Sequence, residues 1–217
     1  MQTLTQRVFA LAPPGGLFDA AVVRNLFPGA TPGARKLLVH RAVHHGEVLR
    51  LRSGLYGLGP DYRKTALHPF TVAAALHGPS HVSLETALAF HGLLPEAVFQ
   101  VASVTAQRSR TYTTPLGTFV FRRVPCHDPK AGVRAVRLSP DAWAFVALPL
   151  RAIADLVYLR RDISWSRNGL DFLTKSLRME DDDLRTLNLG AVPEIRHAMR
   201  NRRTQDYVDG LRKELGP

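Results

Sequence analysis

The chain has 217 residues, with 29 lysines and arginines against 18 acids, a formal charge of +11 and a pI near 10.6. That excess points to a polyanionic partner, nucleic acid first, while a hydrophobic content of 45% is ample for real cores in one or two domains and excludes a disordered tail. Cys126 is the only cysteine, which excludes an intrachain disulfide and a cysteine-based zinc centre; apolar runs such as Ala142 to Leu150 are too short for a bilayer and no signal-peptide core follows the start, so no membrane partner and a cytoplasmic location are expected.

In chain order, Leu4, Val8 and Leu11 at helical spacing predict a first helix, which Pro13-Pro14-Gly15-Gly16 ends. Asp19 can cap a second, running to Leu26 with Ala21, Val22 and Leu26 as its apolar contacts. Pro28-Gly29-Ala30-Thr31 is then a turn. Thr31 as cap and Pro32 at the first helical position start a third helix that Gly46 stops. Ala34, Leu38 and Ala42, with Leu37 beside them, form its expected core side, and Arg35, Lys36, His40 and His44 lie on other faces. Val48, Arg50 and Arg52 alternate with Leu49 and Leu51, Ser53-Gly54 turns the chain, and Leu55-Tyr56-Gly57-Leu58 returns. A basic helix followed at once by a two-stranded basic ribbon is the order of a winged helix-turn-helix, whose helix enters the major groove while the wing touches the backbone beside it. Through Pro60 the cations Arg7, Arg24, Arg35, Lys36, Arg41, Arg50 and Arg52 face only Asp19 and Glu47, whereas the stretch beyond Arg160 is nearly neutral.

Gly59-Pro60 closes the ribbon and a polar connector follows, so residues 1–60 are expected as a DNA-binding domain and 61–217 as a second, α+β domain. There, Phe70 to Leu76 reads as a helix after Pro69, and Ser83 to Phe90 as another that Gly92 stops. From Phe99 the period changes. Val101 and Val104, Phe119 to Val124, Val133 to Leu138 and Trp143 to Ala147 are short, β-branched or aromatic, and predict a small, mostly antiparallel sheet. Pro149 opens a helix through Arg160 with Ile153, Leu156 and Val157 inward, and Gly169 to Leu215 is helical in several pieces. The fold class is thus α+β, with a helical C-terminal part.

Three blocks resemble the AbiEi-type antitoxins of bacterial type IV toxin–antitoxin systems: Arg41-Ala42-Val43 leading into Gly46 to Leu58 (GEVLRLRSGLYGL), His81 to Leu93 (HVSLETALAFHGL), and Ala152-Ile153-Ala154-Asp155-Leu156. The resemblance covers about residues 40 to 160 and is silent after Ile163. It implies an N-terminal winged helix that binds inverted repeats in its own promoter. It also implies a second domain that counteracts a nucleotidyltransferase toxin encoded beside it, without requiring a stable complex with that toxin.

The candidate DNA-binding residues are Thr31, Arg35, Lys36 and His40 on the helix and Arg50, Arg52 and Ser53 on the ribbon. Arg50 and Arg52 are expected to share a face, because strand side chains repeat every second residue, and to hold phosphates without reading sequence. Arg122, Arg123, Lys130, Arg134 and Arg137 form a second basic surface if adjacent strands gather them; scattered solubilising charge explains them equally well. His40 and His44 are a turn apart with His45 following, but a third zinc ligand is missing nearby, so no metal is expected. Adjacent side chains do not point into one another as a triad requires, which makes Cys126-His127-Asp128 a loop between strands. The Glu180 to Asp183 run suits a helix N-terminus better than a metal site. No cofactor is expected. A winged reader fused to a nuclease is the alternative from another class, but between Phe99 and Ala147 the only acids are Asp128 and Asp141, too few for metal-dependent hydrolysis. A regulator responding to a ligand in the second domain is a further one.

Overall fold

The structure, a computed structural model, describes residues 3–95, 99–140 and 142–216. It is α+β throughout. Helix α1 (Leu4–Leu11) begins at a capping box in which the Thr3 hydroxyl accepts from the Gln6 N–H and the Gln6 side chain accepts from the Thr3 N–H. Strand β1 (Leu17–Asp19) leads into α2 (Ala20–Leu26), capped by Asp19, and α3 (Pro32–His44) is capped by Thr31. Strands β2 (Val48–Arg52) and β3 (Leu55–Leu58) form the expected hairpin, with Gly54 at φ 76° in the turn, a conformation that side-chain-bearing residues avoid.

The ribbon is not two-stranded. β1 pairs antiparallel with β3, giving a sheet of order β1-β3-β2. A three-residue strand is too short to show an alternating pattern, and its partner lies almost forty residues on. The core of this unit gathers Leu4, Val8, Phe18, Val23, Ala42, Val48 and Leu58. On α3 the inward residues are Ala42, Val39 and Val43; Ala34 is exposed and Leu37 is 49% exposed. Apolar residues occur on nearly every side of α3, so spacing alone does not choose its inner face.

After a polar connector come α4 (Pro69–Leu76), β4 (His81–Val82), α5 (Leu84–Phe90), β5 (Gln100–Thr105), β6 (Arg110–Thr114), β7 (Gly117–Arg123), β8 (Val133–Ser139), β9 (Ala142–Ala147) and α6 (Pro149–Leu159). The six strands form one sheet of order β6-β7-β5-β4-β9-β8. Its β6–β7, β4–β5 and β8–β9 pairings are antiparallel, while β5–β7 and β4–β9 are parallel. The C-terminal part is helical in pieces, α7 (Trp165–Asn168), α8 (Asp181–Arg185), α9 (Val192–Ala198) and α10 (Arg202–Leu215). Glu180 and Asp183 form a reciprocal cap at the start of α8, which accounts for the acidic run. Tyr207, Val208 and Leu211 of α10 are buried in the same core as Ile153, Leu156 and Val157 of α6. Gly210 lets α10 approach α7 closely: a Cβ there would stand 2.1 Å from the Trp165 ring. None of the helices among the described residues is long and apolar enough to cross a membrane.

A buried polar cluster ties these elements together. Asp155 on α6 is fully buried and accepts from Arg151 Nε (3.0 Å) and Ser83 Oγ (2.7 Å), with His81 Nε2 at 3.4 Å. Arg151, also fully buried, donates from Nη1 to the Ala131 carbonyl at 2.7 Å. Ser83 stands at the N-cap of α5, yet its hydroxyl serves Asp155 and does not cap the helix. Leu84 follows in the left-handed region (φ 58°), a strained conformation held by its burial and by this bond.

Burial on its own pushes the Asp155 carboxyl up; the Arg151 guanidinium, helped by His81 and Ser83, outweighs it and holds the group below the ordinary carboxylate range. Because the native value is depressed, the stabilisation is fully present above the unfolded value of about 4 and is lost as pH falls through the native one. Asp155→Ala leaves Arg151 buried without its counter-ion and should cost about 3–5 kcal/mol in urea unfolding at pH 7. The parent protein should lose stability below about pH 4 more steeply than Asp155→Asn; parallel acid profiles would contradict the depressed value.

Candidate nucleic-acid interface

Helix α2, helix α3 and the β2–β3 hairpin enclose an open concavity of about 780 Å³. Arg24, Arg35, Lys36, His40, Arg50, Ser53 and Tyr56 supply its polar lining, Leu37 and Val39 part of its apolar lining, and no acid borders it. Arg24, Lys36 and Arg50 are exposed and have no ion-pair partner among the described residues. Their charge is directed to solvent.

The sequence-derived set divides on closer inspection. Thr31 is exposed, but its hydroxyl is engaged as the cap of α3, accepting from the Ala34 N–H at 3.2 Å. Arg35 is half-buried and its Nη1 donates to the Phe27 carbonyl at 3.2 Å, at the C-terminal end of α2. Arg7 donates to the neighbouring Leu26 carbonyl and lies over the Phe27 ring, so two guanidinium groups close that helix end, where free carbonyls and the dipole favour a cation.

Arg50 and Arg52 do not act as one pair on one face. The register of β2 against β3 shifts between them: Arg50 stands opposite Tyr56, and Arg52 opposite Leu55. An inserted residue of this kind breaks the two-residue alternation. Arg50 therefore lines the concavity, whereas Arg52 turns to α4, donating from Nε to the Leu76 carbonyl (3.1 Å) and from Nη2 to that of Ala75 (3.5 Å). Leu51 and Leu55 follow it, packing with Leu67, Val72, Ala73, Leu76, Phe119 and Phe121. The hairpin thus belongs to both halves of the molecule, and a hydrophobic cluster crosses the division expected at residue 60.

Arg24 was expected only as part of the N-terminal charge excess and Leu37 on the core side of α3, and neither was expected at the interface. Arg24 lies in the last turn of α2, a position where its cation faces α3 across the concavity; its place as an exposed cation on the helix before α3 is the signal that could have found it. His40 and His44 stack at 6.5 Å, and no group of three or more metal-binding side chains occurs among the described residues.

The proposed second basic surface is taken apart by strand order. Arg122 and Arg123 end β7, while Arg134 and Arg137 sit on β8 at the opposite edge, with β5, β4 and β9 between them. Arg134 and Arg137 also differ in face, since Arg134 is opposite core-facing Val146 and Arg137 opposite exposed Trp143, over whose ring its guanidinium lies at 5.8 Å. Cys126, His127 and Asp128 diverge: Cys126 Sγ meets Arg151, Asp128 accepts from the Lys130 N–H, and His127 faces His197. Asp141 lies outside the described residues.

In comparison with known proteins, the chain matches no family model and no curated sequence.

If this concavity meets DNA, Arg50→Ala should weaken binding to any duplex and flatten the slope of log affinity against log salt by about 1, as expected for the loss of one phosphate contact. Arg52→Ala should leave that slope unchanged and instead lower folding stability by about 1 kcal/mol, the order of a cation at a helix C-terminus. Salt titrations by fluorescence anisotropy and parallel thermal melts separate the two; equal slopes for both variants would contradict the division.

Proposed function

We propose that this protein is a DNA-binding transcriptional repressor of the AbiEi type, which binds inverted repeats in its own promoter and acts as the antitoxin to a nucleotidyltransferase toxin. The observation that carries the DNA-binding half is the acid-free concavity where Lys36 and His40 of α3 meet Arg50 and Ser53 of the hairpin. We read residues 3–60 as a winged helix, because the chain order α1-β1-α2-α3-β2-β3 and the sheet order β1-β3-β2 put α3 beside a hairpin. In that reading α3 lies in the major groove and Lys36 and His40 reach base edges. Arg24 at the end of α2 and Arg50 on the wing grip phosphates on either side, and these fix register without reading sequence. Arg35 supports the site by closing α2.

The antitoxin half rests on the resemblance in three blocks. Two of them, separated by about seventy residues, meet in the Asp155 cluster: His81 and Ser83 come from the second block and Asp155 from the third. Glu85 of the second block also pairs with Arg160 just beyond the third, at 2.7 Å. The shared residues therefore make one structural unit, which we read as a signature of the second domain's fold. Opposition to the toxin needs no active site here.

Two experiments test the halves separately. Lys36→Ala should lower affinity for the promoter repeat by about 1–3 kcal/mol while leaving binding to unrelated DNA nearly unchanged; equal losses on both would make Lys36 a phosphate contact. Expression of a nucleotidyltransferase encoded beside the gene should arrest growth, and co-expression of this protein should restore it. No rescue would remove the antitoxin role and leave the DNA binder.

A further inference from the structure

The second domain holds a cavity of about 290 Å³ at the end of its sheet where β5 and β7 finish and β8 begins. Its walls are largely apolar, with Val104, Val124, Val133 and the exposed ring of Phe145. One exposed cation borders it, and a second is buried in its wall. Lys130 is exposed and has no ion-pair partner among the described residues, and its backbone N–H is fixed by Asp128 Oδ1 at 2.8 Å. Arg151 is buried, and its nitrogens are unequally satisfied: Nε binds Asp155, Nη1 binds the Ala131 carbonyl and reaches that of Asp128 at 3.5 Å, and Nη2 meets only the Cys126 thiol, at 3.8 Å. Sulfur is a weak acceptor, but Arg151 has no exposed surface, so it stiffens the cavity wall and is not offered to a ligand. Asp155 neutralises Arg151 from the other side, where Ser83 and His81 also engage it, so the cavity carries the net charge of Lys130 alone.

We propose that this cavity binds a small apolar monoanion, a carboxylic acid of about benzoate size, with its hydrocarbon body against the valines and Phe145 and its carboxylate at Lys130. The volume is at the lower end of ligand pockets, about 300 Å³, which favours a small ligand. Apolar walls disfavour bare phosphate, whose remaining oxygens would lose their water. The site is independent of α3 and of DNA binding.

Cys126, the chain's only cysteine, lines the cavity and reports its occupancy. Alkylation of the full-length protein by iodoacetamide, followed by intact mass, is measured against increasing benzoate, isovalerate, benzyl alcohol and inorganic phosphate, with methyl NMR of Val104, Val124 and Val133 as the parallel readout where alkylation is slow. Benzoate and isovalerate should slow alkylation at least fivefold and saturably, or shift those methyls saturably, and Lys130→Ala should weaken both about tenfold. Benzyl alcohol and phosphate should do neither at the same concentrations. Equal effects of benzyl alcohol, an effect of phosphate alone, unchanged affinity in Lys130→Ala, or no effect of either acid by either readout would each overturn the proposal.

Discussion

Guanidinium groups that close the carbonyl ends of helices recur through this molecule and hold its parts in register. An α-helix leaves its last carbonyls without partners, and the dipole makes that end negative. Arg7 and Arg35 close α2, and Arg52 closes α4. Arg203 on α10 closes α6, donating to the carbonyls of Val157, Tyr158, Arg160 and Ile163. Each bond joins separate elements: α1 or α3 to α2, the hairpin to α4, and the C-terminal helix to the helix that carries Asp155. A formal charge of +11 therefore overstates what is offered to a polyanion. The exposed cations that line the concavity, Arg24, Lys36 and Arg50, are the ones on which DNA binding rests in our reading.

The same bonds fix how the two halves meet. Arg52 binds the end of α4 while Leu51 and Leu55 enter a cluster with Phe119 and Phe121 of the six-stranded sheet. A hairpin packed in this way is not free to swing, so in our reading docking on DNA sets the orientation of the second domain as well. Within that domain the Arg151–Asp155 pair does comparable work, joining β4, the start of α5, α6 and the loop after β7 around one buried carboxylate. Such a pair is weak evidence for net stability but makes a misplaced α6 costly, since either partner alone would be a buried charge.

Much of the fold was legible because helix starts carry their own chemistry. Thr31-Pro32, Asp19, Pro69 and Pro149 mark the beginnings of α3, α2, α4 and α6. β1 and β4 were not, because two or three residues cannot show a period and are strands only by virtue of distant partners. β6, Arg-Thr-Tyr-Thr-Thr, is polar on an edge and also escapes hydrophobic patterning. The candidate site divides in the same way. Lys36, His40, Arg50 and Ser53 line one concavity because they lie on one helix and one local hairpin. Arg52 left the set through a single inserted residue in β2, and Arg122 and Arg123 were parted from Arg134 and Arg137 by a strand order that no local pattern encodes.

The central claim is that one face, formed by the end of α2, α3 and the hairpin, meets DNA. Backbone amide shifts of the full-length protein, titrated with a duplex bearing the promoter repeat, test it directly. The account expects saturable changes concentrated on Arg24, on residues 31–43 and on residues 48–54, with the six-stranded sheet little affected. Changes centred on the Trp143–Phe145 face of that sheet, or no saturable change at α3, would contradict it.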